Sequence, residues 1–536
     1  MYGYAQPSNA IAVYSTGGVT HVFNNVGATM GGDILLTNNG GSGCFTNSGT
    51  FNSGDAVTVG KCAVSNSGTI DIRGGKLGVT TISGDYQGNG KLVFDADFSA
   101  ARADRLVVLG DANVGGAVEV RPSTMHKTPV TVLSATGNVV LDPALTAVSG
   151  AHLYRYDVRN DGTSLTVTPV ALFSARAAGA GANQKAVAGH LQTLFDGGAP
   201  LDRAFTRLLG VKGDADYAAA LDSISGRALG AFGVFRFNSS RVFSANLYGG
   251  CGTLQFESRQ SERCGWARGM VNSTRQRGNS DMLGFDADAN ALQVGGQLPL
   301  TDALALTGSL AYESSTFTDD AARVNGDALV GGLGLLYATG PWELSAGIDT
   351  ADGNYHSRRQ IGIGGQSDTV TARPKQTQYG AHLRAAYAVP VGEQSFVRPY
   401  LEGHAIHVSD KAFVEQGDSP FRLAVNAQSD TAYIGVAGVE AGSHLQLRNG
   451  MALRPFIGAA VEYGNVRRWT TSARFADQAD GAPFNVDTAG PDTLGRVNIG
   501  ADLLGSKNVT FSLQYGAEFG KGYTSHTGTA RLAVSF

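Results

Sequence analysis

The chain has 536 residues, of which 74 are glycine, about twice the usual share, and only 16% are charged. This composition excludes coiled coils, charged disordered tails and ordinary helical enzymes. The 41 basic and 45 acidic residues give a net charge of −4. They form no long Lys/Arg run, so we expect no nucleic-acid partner. The length predicts at least two structural units.

Residues 1–32 contain no Asp, Glu, Lys or Arg and therefore lack the basic region of a secretory signal. We expect either a cytosolic protein or a chain whose natural start lies upstream. Although 42% of the residues are hydrophobic, they never form the run of about 18 apolar residues that a transmembrane helix needs. The sequence therefore predicts no helical membrane span.

Residues 1–170 read as short strands separated by Asn, Gly, Ser and Thr. The turn Asn47-Ser48-Gly49-Thr50 recurs 19 residues later as Asn66-Ser67-Gly68-Thr69, a spacing typical of one turn of a β-solenoid. Asn and Gly suit its corners because both tolerate left-handed backbone angles. We predict a β-solenoid, specifically a right-handed β-helix. The alternative is a low-complexity surface segment.

Residues 171–216 predict a helical linker, since Val187, Leu191 and Leu194 recur at helical spacing. Residues 217–250 predict one longer helix rich in Ala, Ser and Gly. At 1.5 Å per residue it would reach about 48 Å. Its charged residues forbid lipid exposure, so a membrane crossing would have to run inside something polar.

Residues 265–536 alternate apolar and polar side chains with period two, as in Val509, Phe511 and Leu513 against Thr510 and Ser512. A soluble sandwich would show the same alternation, and two details decide against it. Aromatic residues lie at the ends of the apolar rows, as at a lipid headgroup boundary: Tyr312, Tyr337, Trp342, Tyr379, Tyr387 and Tyr463. The opposite face carries isolated charges that suit an aqueous lumen: Asp349, Arg384, Glu402, Arg454, Glu462 and Asp502.

The fold class expected is therefore all-β with a helical linker, in which the solenoid is followed by a twelve-stranded antiparallel transmembrane β-barrel with a lumen helix. A barrel of about this size accepts one helix. The residues expected to make polar contacts from that helix to the wall are Arg236, Asn238, Ser239, Ser240 and Arg241. The alternative is a helix packed in a soluble domain.

Several segments carry a family resemblance. The C-terminal alternation of Leu532, Val534 and Phe536 resembles the signal read by the outer-membrane barrel assembly machinery. ANQKAVAGHLQTLFDGG, YAAALDSISGRALGAF and FNSSRVFSANL resemble the linker and lumen helix of monomeric (type Va) autotransporters of Gram-negative bacteria. Residues 84–122 are similar to the autochaperone end of autotransporter passengers, a region expected to reach about residue 170.

This resemblance implies type V secretion, with the barrel in the outer membrane and the passenger, an adhesin or other virulence-associated β-helix, at the cell surface. It implies as partners outer-membrane lipid and lipopolysaccharide, the barrel assembly machinery, periplasmic chaperones and host surface ligands, and it implies a monomer. The sequence departs from the family in showing no signal peptide and a short passenger, so we expect part of a longer protein. A surface hydrolase passenger and a porin-like channel remain alternatives.

The four cysteines form two local pairs, Cys44 with Cys62 and Cys251 with Cys264. Loops this short are candidates for disulfides in an oxidising compartment, and four free thiols are the alternative. No Cys-x-x-Cys occurs and the histidines are scattered, so we expect no metal and no cofactor.

We expect no enzyme activity. Gly417-Asp418-Ser419 lacks the strand, turn and helix of a hydrolase nucleophile. Some autotransporters cleave their passenger at an asparagine of the lumen helix, and the candidates here are Asn238 and Asn246. The paired asparagines of the best-known cleaving group are missing.

Overall fold

The computed structural model describes residues 10–37, 43–249, 263–319, 321–447, 451–478, 481–504 and 508–536. The chain divides into two compact units. The first contains Met1–Gly179, Ala188–Ala220 and Ile363–Gln366, and the second contains Ala180–Val187, Leu221–Gly362 and Ser367–Phe536. Among the helices described, none is long and apolar enough to cross a bilayer.

The first unit is a β-solenoid with a terminal hairpin, as the sequence predicts. Its strands are β1 (Ile11–Thr16), β2 (Thr20–Asn24), β3 (Thr29–Thr37), β4 (Gly43–Asn47), β5 (Thr50–Thr58), β6 (Val64–Asn66), β7 (Thr69–Asp71), β8 (Val79–Ile82), β9 (Tyr86–Gly88), β10 (Lys91–Asp97), β11 (Arg102–Ala103), β12 (Arg105–Val108), β13 (Ala112–Val114), β14 (Ala117–Thr124), β15 (Val130–Ala135), β16 (Val139–Leu141), β17 (Thr146–Ser149), β18 (Tyr154–Asn160) and β19 (Ser164–Ala171). Parallel pairing runs β17-β14-β10-β7-β5-β8-β12-β15 in one sheet and β16-β13-β9-β6-β4-β2 in the other.

An asparagine ladder runs through one corner of the solenoid. The buried Asn24 donates to the side-chain oxygen of Asn47 at 2.7 Å, and Asn47 donates to that of Asn66 at 2.8 Å. Thr50 is paired with Thr69 in the adjoining strands. The two NSGT turns therefore stack on each other, as the 19-residue spacing predicts. The predicted disulfide between Cys44 and Cys62 is present, with Cα atoms 5.2 Å apart.

The end of the solenoid is covered by an aromatic cluster. Strands β18 and β19 form an antiparallel hairpin, followed by α1 (Phe173–Arg176), α2 (Ala182–Asp196) and α3 (Asp202–Arg207). Tyr154 donates its hydroxyl to the Phe205 carbonyl at 2.7 Å, and Phe173 and Phe195 pack around it. A solenoid needs such a cap because its last turn would otherwise expose its apolar interior.

The second unit is a closed antiparallel barrel of twelve strands, the number that the alternation predicts. They are β20 (Cys264–Gln276), β21 (Phe285–Pro299), β22 (Leu304–Asp319), β23 (Ala322–Thr339), β24 (Trp342–Ile363), β26 (Lys375–Tyr387), β28 (Ser395–Asp410), β31 (Gln428–Ser443), β33 (Ala452–Gly464), β36 (Thr493–Leu504), β37 (Val509–Gly520) and β38 (Tyr523–Ser535). The first strand β20 pairs with the last strand β38, which closes the barrel. Closure satisfies the backbone of every strand without water, as lipid requires.

The apolar face points outward. On β26, Tyr379 and Leu383 are 61% and 65% exposed, whereas His382 and Arg384 between and beside them are buried. The aromatic residues expected at the membrane boundary are exposed as well. The prediction of an apolar exterior around a polar lumen is therefore confirmed.

The connections at the two ends of the barrel differ. At the long-loop end they contain additional strands, which are β25 (Gln366–Ala372), β29 (Phe413–Val414), β30 (Leu423–Val425), β34 (Arg468–Phe475) and β35 (Phe484–Ala489). Four of these form a separate sheet in the order β29-β30-β34-β35, called the loop sheet below. Within the described ranges, the additional strands at the opposite, short-turn end are β27 (Val389–Val391) and β32 (Leu445–Gln446), and the chain's last residue, Phe536, lies there.

The prediction of one continuous helix over residues 217–250 is wrong, because the helix is interrupted. The chain forms α4 (Asp214–Ile224) and α5 (Ala231–Tyr248) instead. Gly226 and Ala228 between them have φ of 81° and 65°, and such left-handed residues end a right-handed helix. The lumen helix is thus 18 residues long, or about 27 Å.

Candidate functional site

The barrel lumen is filled by α5, whose side chains are mostly buried against the wall. Arg236 and Arg241 are each only 1% exposed. A buried charge is tolerated only when it is paired and hydrogen-bonded. The contacts of these two arginines therefore determine how the helix is held.

Toward the long-loop end, the helix and the wall form an apolar collar, defined as Phe232, Phe235, Phe237, Phe317, Tyr355 and Trp469. The ring centroids of Phe235 and Phe317 are 5.3 Å apart, and those of Phe232 and Tyr355 are 4.7 Å apart. Trp469 comes from the loop sheet and packs on Phe237 at 5.9 Å. The collar therefore surrounds the first half of α5 with apolar side chains.

Arg236 crosses the lumen to one side of the wall. It donates to Glu313 of β22 at 2.9 Å, to the Tyr355 hydroxyl oxygen of β24 at 3.0 Å and to Gln376 of β26 at 3.1 Å. Three donors of one guanidinium thus meet three neighbouring wall positions. This fork fixes both the height and the rotation of the helix.

Two serines of the helix donate to wall carboxylates. Ser239 donates to Glu313, which also binds Arg236. Ser240 donates to Asp349 of β24 at 3.1 Å. Short hydroxyl side chains let the helix backbone approach the wall closely here.

Arg241 points to the other side of the wall. It forms ion pairs with Glu462 of β33 at 3.2 Å and with Glu518 of β37. Asn238 accepts a hydrogen bond from Arg241 within the helix. Asn238 therefore orients the arginine, rather than contacting the wall as the sequence suggested.

A hydrogen-bonded row of wall side chains runs beside Ser240. His382 contacts Asp349 through Nε2 and His404 through Nδ1, the two Nδ1 atoms lying 2.8 Å apart. His404 Nε2 lies 3.5 Å from Glu402. This row links β24, β26 and β28 inside the lumen.

Below it, arginines and glutamates of the wall form a charged belt, which consists of Glu343, Arg384, Arg398, Glu402, Glu440, Glu462, Arg496 and Glu518. Arg398 pairs with Glu343 at 2.7 Å and Arg384 with Glu440 at 3.2 Å. Each of these two pairs reaches across one intervening strand. The belt has more glutamates than arginines, and Arg241 of the helix adds a positive charge beside Glu462 and Glu518. The belt therefore stiffens the wall around the second half of the helix.

The helix ends at the short-turn end of the barrel. Tyr248 donates its hydroxyl to the His382 carbonyl at 3.0 Å, and Thr307 donates to the Leu247 carbonyl at 3.2 Å. Arg531 donates to the Gly249 carbonyl. Thr307 and Arg531 thus satisfy two carbonyls at the end of the helix, while Tyr248 bonds a carbonyl of the wall.

The remaining candidate residues are dispersed. The Asn246 amide lies 2.7 Å from the Met270 sulfur. Leu532, Val534 and Phe536 are exposed on the outer, lipid-side face of β38 and at its end. Cys264 begins β20, whereas Cys251 lies outside the described residues.

Sequence reasoning missed the partners of the helix. His382, His404 and Gln376 occupy the polar face of the alternation, as do the lumen charges that were identified. Their position on the polar face indicates that they lie in the lumen. It does not indicate which wall residue contacts which helix residue. Trp469 carried no signal, because its loop strand lacks the barrel alternation.

Comparison with known proteins assigns the barrel to a family. Residues 265–516 match the family described as Autotransporter beta-domain. No curated protein sequence matches the chain.

Similar solved structures include the translocator domain of autotransporter NalP from Neisseria meningitidis, with 16% identity, a TM-score of 0.45 and coverage of 57% of this chain and 96% of that one. The beta domain of the Bordetella autotransporter BrkA has 15% identity, a TM-score of 0.38 and coverage of 51% and 100%. The transport unit of the autotransporter AIDA-I from Escherichia coli has 14% identity, a TM-score of 0.34 and coverage of 56% and 98%. The chain thus carries an autotransporter β-domain over residues 265–516, with a β-solenoid before it in sequence, and its barrel is one of the Gram-negative outer membrane.

Proposed function

We propose that this autotransporter exports the residues that precede its lumen helix and displays the β-solenoid at the cell surface. The observation that carries the proposal is the direction of the helix. Arg227, just before α5, pairs at 2.7 Å with Asp319, the last residue of β22 at the long-loop end. Outer-membrane barrels have their long loops outside the cell. The chain upstream of α5 therefore leaves the barrel on the outer side.

Solenoid growth supplies a direction for export without ATP, which the periplasm lacks. Each turn folds on the preceding one, and every added turn makes return through the lumen less favourable. In this scheme, the capped turns of residues 84–170 fold first and act as the template. The asparagine ladder stabilises in-register stacking, because each buried amide forms its side-chain hydrogen bond with an asparagine of the neighbouring turn.

Insertion requires recognition by other components. We infer that the row Leu532, Val534 and Phe536 is read by the barrel assembly machinery, after periplasmic chaperones have delivered the chain. The outward apolar face then contacts lipid and lipopolysaccharide. The closed sheet leaves no strand edge to pair with a second copy, which favours a monomer.

The passenger is proposed to act as an adhesin for host surface ligands, because its parallel strands present a regular, extended surface.

The alternative, a surface hydrolase, would need a nucleophile, a base and an orienting acid in the passenger. Of its histidines, His152 contacts Asp214 at 2.8 Å and His126 contacts Thr128. Within the described part of the chain, no serine or cysteine lies within hydrogen-bond distance of either histidine.

We further propose that the passenger stays attached. Cleavage at an asparagine requires a wall carboxylate to activate the amide. The Asn238 and Asn246 amides contact Arg241 and Met270 instead. Over the ranges that the structure describes, neither side chain bonds to a carboxylate.

Protease shaving of intact cells tests the proposal. Protease should remove residues 1–170 and leave a protected fragment beginning near residue 217, while a periplasmic marker protein stays intact. Without protease, the chain should run as one band containing both barrel and passenger. Complete protection of residues 1–170 in intact cells would overturn surface display.

The porin-like alternative makes a different prediction. A purified chain in planar bilayers should conduct poorly, because α5 fills the lumen. Conductance typical of an open porin would contradict the plugged barrel.

A further inference from the structure

A cavity of about 110 Å³ lies in the lumen at the short-turn end. The end of α5 forms one side of it, with Asn246 and Gly249, and the wall forms the other. The described residues of the helix and the wall therefore enclose a space beside the last helical turn.

Arg268 of β20 lines this cavity and is 92% buried, with an exposed fraction of only 8%. Its guanidinium lies 5.4 Å from the centre of the Trp266 ring. Among the described residues, Arg268 forms no ion pair, and its Nε is buried without a hydrogen-bond partner. Asp502 attracts the guanidinium electrostatically but is shared with Arg531, from which it lies 3.6 Å away. A buried guanidinium without a counter-charge of its own is costly, so this position favours the binding of an anion.

The other charges of the cavity wall are already paired. Arg384 binds Glu440 at 3.2 Å, and Arg531 lies 3.6 Å from Asp502. The charges of these four residues balance, so the described residues of the lining keep one net positive charge, that of Arg268. Among them, one unit of negative charge would balance it.

Neutral polar groups complete the lining. Ser512 and Gln514 of β37 face the cavity together with Thr529 of β38 and Asn498 of β36. Hydroxyls and amides can donate to several oxygens of one tetrahedral ion, while the planar guanidinium of Arg268 can bind two of them.

We propose that this cavity binds a phosphate-type oxyanion, held by Arg268 and the neighbouring hydroxyl and amide groups at the inner mouth of the barrel. Its volume exceeds the space that a single water molecule takes in the liquid, about 30 Å³, by enough for such an ion. The ion supplies the counter-charge beside the end of α5. Free phosphate and the phosphodiester of a lipid headgroup share this chemistry.

Binding is tested on the full chain in detergent micelles. Isothermal titration with inorganic phosphate at constant ionic strength should give saturable binding of one ion per chain. Arg268→Gln should weaken the binding at least tenfold. The control is Arg275→Gln on the same strand, since Arg275 is exposed and pairs with Asp286 at 2.8 Å; its binding should equal that of the unaltered chain.

Folding of each variant is checked by the change in electrophoretic mobility on boiling. If Arg268→Gln does not fold, Thr529→Val replaces it and should weaken binding several-fold. Competition by short-chain phosphatidylglycerol would identify a lipid headgroup as the source, and its failure to compete would identify free phosphate. No saturable binding of either probe, or unchanged binding in a folded variant, would overturn the site.

Discussion

Trp469 of the loop sheet lies directly on Gly233 of the lumen helix: a Cβ atom at residue 233 would come within 2.5 Å of the indole ring. The loop sheet therefore reaches into the barrel and rests on the helix backbone. The φ angle of Gly233 is not left-handed, so the backbone does not require glycine here. The missing side chain is needed instead because the indole ring lies so close.

Gly233→Leu should destabilise the plugged barrel, because the leucine side chain would clash with the indole ring of Trp469. Overpacking of this kind costs about 1–3 kcal/mol. The temperature at which the folded electrophoretic band disappears should fall. Gly269→Leu is the matched control, because nothing lies within 4 Å of a Cβ at that position. Equal transition temperatures for the two variants would contradict the contact.

Arg241→Met should destabilise the barrel more strongly than any surface charge change. It leaves Glu462 and Glu518 without their helix partner in the lumen, and breaking a buried ion pair costs about 3–5 kcal/mol. Urea unfolding in micelles measures the loss. Arg275→Met, which removes an exposed pair, should cost under about 1 kcal/mol. A similar small cost at both positions would show that Arg241 is not held as described.

Asn47→Ala should loosen the solenoid at the stacked turns. The substitution removes both the acceptor of Asn24 and the donor to Asn66, leaving two buried amides with lost bonds. A buried unsatisfied polar group costs about 1–3 kcal/mol. Limited proteolysis of the passenger reports the change. Ser48→Ala removes only the exposed contact with Ser67 at 3.0 Å and should leave the digestion rate nearly unchanged.

The solenoid should lose stability as pH rises from about 4 to about 7. Burial raises the pKa of Asp104 from 3.8 to about 7. The folded state then binds more protons than the unfolded state between these values, so the free energy of unfolding falls from about pH 4 to about pH 7 and levels off above.

Asp104→Asn removes this titration. Its single amide oxygen can replace only one of the two carboxylate oxygens that accept the N–H groups of Gly78 and Asp95 at 2.9 and 2.8 Å, so the variant should also be less stable at every pH. Passenger unfolding in urea at pH 4.5 and 7.5 should therefore differ less in the variant than in the unaltered chain. The same pH difference in both chains would rule out Asp104 as its cause.

The barrel strands were predictable because lipid imposes one rule on all of them. An apolar exterior and polar interior force the period-two pattern, as Tyr379 and Leu383 against His382 and Arg384 illustrate. The loop strands, such as Arg468–Phe475, obey no such rule and were missed. Likewise the break at Gly226 and Ala228 was missed. Gly226 and Gly230 are poor helix formers, but single glycines occur within helices and do not by themselves fix where one ends.

The sequence predicts the chemical type of the contacts between the helix and the wall, but not the partners. Buried arginines and serines on a crossing helix had to meet polar wall groups, but Glu462 and Glu518 lie 221 and 277 residues beyond Arg241 in sequence. No local pattern encodes a pairing over that separation. The solenoid corner was easier, because its repeat places Asn47 and Asn66 a fixed 19 residues apart.

The two arginines of the helix draw their partners from opposite parts of the wall. Arg236 binds β22, β24 and β26, whereas Arg241 binds β33 and β37. A flat sheet cannot place both groups of partners around one helix. The seated helix and the curvature of the wall therefore stabilise each other.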